Sequence, residues 1–150
     1  MPLTRIEAVN LAELLRQFRE LIQATDTGDP AMQRLVPDAY PDDPDAARQF
    51  RELTASELLE HRDADAQAVL ASLGAPLTAP ATDAEALEET ALALSPEQVD
   101  AWLRALTALR LVLASRLHVE SEDDHDPADP RFGVYEWLGY RLETLIELTD

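Results

Sequence analysis

"SPEQVDAWLRALTALRLVLASRL", residues 95–117, decides the fold class of this chain. Ser95 stands where an N-cap belongs, Pro96 takes the first helical position, and Gln98 can reach back to the cap from the third. Val99, Trp102, Leu103, Leu106, Leu109, Leu113 and Leu117 then recur at helical spacing. Such a stripe marks a core-facing helix. Leu111 and Val112 fall outside the stripe, so this helix is expected to be covered on more than one side.

The same grammar recurs along the chain. "TRIE" at 4–7 is a capping box, with Thr4 as N-cap and Glu7 as its partner. Leu11, Leu14, Leu15, Phe18, Leu21 and Ile22 line one face of the helix that follows, and the breakers of "TDTGDP" end it near Thr25. In "LVPDAYPDDPDAARQF", residues 35–50, Asp43 caps a second helix and Pro44 starts it, while Pro37 and Pro41 keep the approach extended. That leaves Tyr40 and Asp42 without a role in helix entry. "TASE" at 54–57 reads as another capping box and predicts a break near Thr54. The stripe Leu58, Leu59, Ala66, Val69, Leu70 and Leu73 runs on to Gly74. Residues 75–94 read as a flexible connector in which "LEETALAL" is either a short helix or an extended piece. "ESEDDHDPADP" at 120–130 is an acidic loop, and the last helix places Val134, Tyr135, Leu138, Leu142, Leu145 and Ile146 on one side, widened by Trp137 and Leu148. The expectation is an all-α single domain over residues 1–150. It is a bundle of four to six helices with the two Trp-bearing helices central, its packing either orthogonal or up-down.

Composition narrows the function. The formal net charge of −18 disfavours direct binding to nucleic acid or to an anionic membrane. All basic residues are arginine, as a GC-rich coding bias would produce. The absence of cysteine removes disulfides, thiol nucleophiles and thiolate zinc sites together. No signal-peptide pattern opens the chain and no apolar run reaches membrane length, so the expected location is cytoplasmic.

No motif announces a reaction. The acidic loop lacks the glycine and the ligand ladder of a calcium-binding loop, and His61, His118 and His125 do not share the spacing of a zinc pair. Ser56 and Ser95 are explained as helix starts; there is no G-x-S-x-G elbow and no glycine-rich phosphate loop. The chain is expected not to be an enzyme, with no catalytic residues, no cofactor and no metal.

Two arginines fall inside apolar stripes. Arg62 lies between the angles of Leu58 and Val69, and Arg110 lies close to Leu103 and Val99. A guanidinium keeps its proton, so burial demands a partner. Either each meets an inward carboxylate or helix-end carbonyls, or the two converge on an anion or a partner's acidic side chain. Tyr40 and Asp42 are candidates for the same contact. Among the aromatics, Tyr140 lies opposite its stripe and, with Trp137, is the candidate interface; a homodimer through the last helix would use it.

Three stretches, "RLVPDAYPDDPDAARQFREL", "AWLRALTALRLVLASRLHV" and "YEWLGYRLETL", together resemble the actinobacterial family known as domain of unknown function 2017. The resemblance spans nearly the whole chain. It implies a cytoplasmic, helical, non-enzymatic protein, often encoded near an adaptor of the Clp protease and near genes for sulfur-carrier-dependent cysteine synthesis. Some members are named oxidative-stress transcriptional regulators, thought to sense oxidant through a cysteine pair and to act with a sigma factor. This chain has no cysteine for that chemistry. The reading it suggests is a regulatory interaction module contacting a protein such as a sigma factor or protease adaptor. The alternative is a small-molecule or anion-binding helical domain built on Arg62 and Arg110.

Overall fold

Capping chemistry and apolar stripes yield a bundle of helices with one small β-ribbon. The computed structural model describes residues 1–24, 30–35, 44–74, 80–117 and 130–149, of which 32–34, 44, 46–56, 130 and 131 are described by backbone alone. In chain order the elements are β1 (Pro2–Thr4), α1 (Arg5–Ala24), α2 (Pro30–Leu35), α3 (Pro44–Leu73), α4 (Asp83–Ala86), β2 (Glu89–Ala91), α5 (Pro96–Arg116) and α6 (Pro130–Thr149). The domain is all-α apart from that ribbon.

Both clearest capping boxes form. The Thr4 hydroxyl accepts from the Glu7 N–H at 3.3 Å while the Glu7 carboxylate accepts from the Thr4 N–H at 2.9 Å. Ser95 and Gln98 make the same reciprocal pair at 3.2 and 2.8 Å. The third does not act as a start: α3 is helical from Pro44 to Leu73 without interruption at Thr54. A capping box requires extended backbone at its N-cap, and here the helix already begun at Pro44 runs through it.

Helix α5 is the hub. Val99, Ala101, Trp102, Ala105, Leu106, Ala108, Leu109 and Ala114 are all buried, which only a helix covered on several sides can achieve. Helices α2, α3 and α6 pack directly against it, and α1 packs chiefly on α3. Small alanines between the large residues let the neighbours approach closely. Leu11, Leu15, Phe18 and Ile22 of α1, Leu59, Ala66, Val69 and Leu73 of α3, and Leu138 and Leu145 of α6 complete one apolar cluster around Trp102. Full burial of each Leu or Phe here contributes roughly 1.5–3 kcal/mol.

Two expectations about faces change. Leu58 is 37% exposed, because the buried line of α3 passes through Leu59, Ala66, Val69 and Leu73. Helix α6 is an edge helix rather than a central one: Leu138 and Leu145 are fully buried, but Tyr140, Ile146 and Leu148 are exposed. The connector is not featureless either. Residues 83–86 form α4, capped by Thr82, and 89–91 form β2, antiparallel to β1 in the register Pro2↔Ala91, Leu3↔Thr90, Thr4↔Glu89. Leu3 inserts into the core from this ribbon at 3% exposure. A burial that cannot be read from 89–91 itself, whose three residues are all exposed, thus anchors the connector.

Candidate functional site

Among the described residues, the most elaborate polar cluster joins the first helix to the last. Glu7, fixed by its capping box at the start of α1, accepts from the Trp137 indole N–H at 2.5 Å and from Arg141 Nη2 at 2.6 Å. Arg141, only 9% exposed, also donates through Nη1 to the Pro2 carbonyl at 3.1 Å. Its guanidinium lies near the Trp137 and Tyr140 rings, at 5.5 and 5.4 Å from their centroids. Burial pushes the Glu7 carboxyl up, but the hydrogen bonds from Arg141, the Thr4 backbone and Trp137 outweigh it and hold the group at about 2. The cluster is therefore a fixed ion pair at neutral pH. It clamps α6 onto the N-terminal ribbon rather than offering a proton to a substrate.

Two further ion pairs tie α3 to its neighbours. Asp63 accepts from Arg19 of α1 at 2.8 Å, and this bond holds its carboxyl below the usual range against the opposing effect of burial. Two residues on, Asp65 accepts from Arg104 of α5, with Nε 3.1 Å from both carboxylate oxygens. Asp63 and Asp65 thus tie α3 to two different neighbours, α1 and α5.

Near the other end of α6, Arg110 lays its guanidinium on the Tyr135 ring, 4.1 Å from the centroid. Gly139 makes room for it: a Cβ there would stand 3.1 Å from Nη2. The buried Nε of Arg110 has no hydrogen-bond partner, and neither has the buried indole nitrogen of Trp102.

A groove of about 460 Å3, of mixed polar and apolar surface, opens where the ribbon, the start of α5 and the end of α6 meet. Met1, Leu92, Leu94, Val99 and Leu148 line it, with Asp100 as the acidic side chain in its wall. The Met1 ammonium is turned onto the Leu92 carbonyl at 2.9 Å.

The family model described as Domain of unknown function (DUF2017) matches residues 1–149. The chain belongs to this family. No curated protein and no solved structure matches it.

Within this DUF2017 domain the two arginines singled out by sequence stand on packed neighbouring helices, Arg62 on α3 and Arg110 on α5. Arg62 falls in step with the buried line of α3, three residues after Leu59 and four before Ala66, and is partly exposed there. Arg110 does pack inward, but against an aromatic ring and a glycine instead of a carboxylate. Tyr140 is 60% exposed, as its angle implied. Trp137, the other interface candidate, is half-buried and committed to Glu7. Tyr40, Asp42 and the acidic loop at 120–129 lie outside the described residues. Among the described residues no helix is long and apolar enough to cross a membrane, and no group of three or more His, Asp or Glu is placed to hold a metal ion.

Sequence reasoning missed Arg141 and Glu7. The signal was present: Arg141 is spaced i, i+3, i+7 with Leu138 and Leu145, the two fully buried leucines of α6. Glu7 had been fully accounted for as a cap, which concealed its second role.

Proposed function

We propose that this domain is a non-enzymatic, cytoplasmic regulatory module that works by binding another protein. The observation that carries the reading is the exposure of Tyr140, Ile146 and Leu148 on α6, at 60%, 52% and 53%, in a chain of net charge −18. Exposed aromatic residues concentrate at the energetic centres of interaction surfaces, which makes Tyr140 the side chain to test. A role in stress response or transcription, with a sigma factor or protease adaptor as partner, is the finer form of this proposal and rests on the family resemblance. Crosslinking capture from a native lysate tests it, with Tyr140→Ser as the paired bait. The expected result is one regulatory partner, recovered by the native domain and lost with the variant. Equal recovery by both baits, or none, removes the support.

The alternative, an anion-binding domain, retains one observation: the unpartnered buried Nε of Arg110. It predicts thermal stabilisation by phosphate or sulfate that Arg110→Met abolishes, and lack of any such shift eliminates it.

A further inference from the structure

The groove between the ribbon, α5 and α6 has a chemistry that selects its occupant. Met1, Leu92, Leu94, Val99 and Leu148 supply its apolar surface, polar atoms supply nearly as much, and Leu148 is half-exposed beside it. The acidic side chain among its lining residues is Asp100, and the exposed Glu97 and Glu147 are next in sequence to the lining residues Pro96 and Leu148. Among the described residues, Arg104, one turn beyond Asp100, is paired with Asp65 and Arg141 is paired with Glu7, while the Met1 ammonium donates to the Leu92 carbonyl and keeps its charge.

Resting on the interaction-module reading, we infer that this groove receives an amphipathic segment of a partner protein whose apolar residues are flanked by lysine or arginine. Leucine-like side chains would fill the apolar floor while the basic flanks meet Asp100, Glu97 and Glu147. Helix-in-groove recognition needs this combination of apolar anchors and complementary rim. A second copy of the chain fits poorly. An isologous contact would bring the same acidic patch of both copies together, and like charges crowded at one interface are strongly unfavourable. A small apolar ligand is also disfavoured, because a cleft open along one side leaves much of such a ligand in water, whereas ligand pockets enclose most of theirs.

The probe is a labelled Leu/Lys peptide with leucines spaced i, i+3, i+4, i+7, titrated into the intact domain and followed by fluorescence anisotropy. Its controls are the Leu/Glu counterpart of the same spacing and a scrambled Leu/Lys peptide with no apolar face. The expected result is saturable one-to-one binding of the first peptide alone, weakening with added salt. Leu148→Asp and Asp100→Lys should each weaken it by roughly tenfold. Leu87→Asp, at a site 67% exposed and outside the groove, should leave it unchanged. Both groove positions are at the surface, and circular dichroism confirms that the variants stay folded. Equal binding by native and Leu148→Asp domains, or by ordered and scrambled peptides, overturns the inference, because attraction would then be charge alone. Sedimentation showing a dimer that Leu148→Asp dissolves also overturns it, in favour of a second copy. The Tyr140→Ser capture experiment reports separately: a partner captured there without peptide binding in the groove leaves the regulatory reading standing and removes this one.

Discussion

Replacing Glu7 by glutamine tests the central claim about the α1–α6 clamp. The glutamine side chain is nearly isosteric and keeps a carbonyl for the Thr4 N–H, so the helix cap survives. The negative charge facing Arg141 does not. The paired side chains are only 21% and 11% exposed, so water screens them weakly. A carboxyl held at about 2 in the folded chain against an ordinary 4.5 contributes on the order of 3 kcal/mol at neutral pH. An independent route agrees: removing one partner of a buried pair costs about 3–5 kcal/mol. For a chain of this size that corresponds to a fall in Tm of roughly 6–12 °C.

The pH dependence is the sharper test. Because the folded pKa is depressed, the contribution is complete well above 4.5 and is lost as pH falls from there towards 2. Near pH 3.5 a substantial part of it, on the order of 1 kcal/mol, should have gone. Glutamine does not titrate, so the stability gap between native and Glu7→Gln domains must narrow by that amount between pH 7 and pH 3.5. Urea unfolding followed by tryptophan fluorescence measures it, and taking the difference between the two proteins cancels the titration of the other carboxylates. A gap under about 1 kcal/mol at pH 7, or one that stays constant down to pH 3.5, would refute the reasoning. Adding Arg141→Met to Glu7→Gln should restore part of the loss, since the stranded cation is then gone.

Gly139→Ala should separate helix propensity from the Arg110 contact. Alanine in a helix interior normally gains about 1 kcal/mol over glycine, but its Cβ would press on a guanidinium trapped against Tyr135. Alone it should be neutral or destabilising; with Arg110→Met it should recover the gain. Chemical denaturation of the four proteins completes the cycle, and identical effects in the two backgrounds would disprove the contact. Gly74 closes α3 with φ of +89°, and a Cβ added there would meet no atom within 4 Å. Gly74→Ala should therefore cost about 1–2 kcal/mol from backbone conformation alone. Gly74→Asn should cost less, and equal losses for the two would show that another effect dominates.

The helices were legible because their causes are local. Ser95, Pro96 and Gln98 lie within four residues of each other, and Thr4 with Glu7 likewise. The buried lines of α1 and α5 repeat at a spacing that a single helix imposes. The ribbon was not legible: Glu89–Ala91 has no buried residue, and its partner strand lies at the other end of the sequence. The same limit applies to α6 and α3. A periodic stripe shows that a helix has an apolar side, but which residues at its margins are covered depends on the neighbour's position. Leu58, Ile146 and Leu148 belong to such stripes and stand outside for that reason.

By itself, then, the sequence determined the all-α class, the helix starts, the acidity and the lack of thiol chemistry, since each depends on composition or on near neighbours. Tertiary structure alone decided that Glu7 meets Arg141 and Trp137, and that Met1, Leu92, Val99 and Leu148 converge on one groove. Those contacts join residues from different elements, many of them far apart in the chain. The free energy that selects them comes from burying whole faces together, a quantity that no short window of sequence contains.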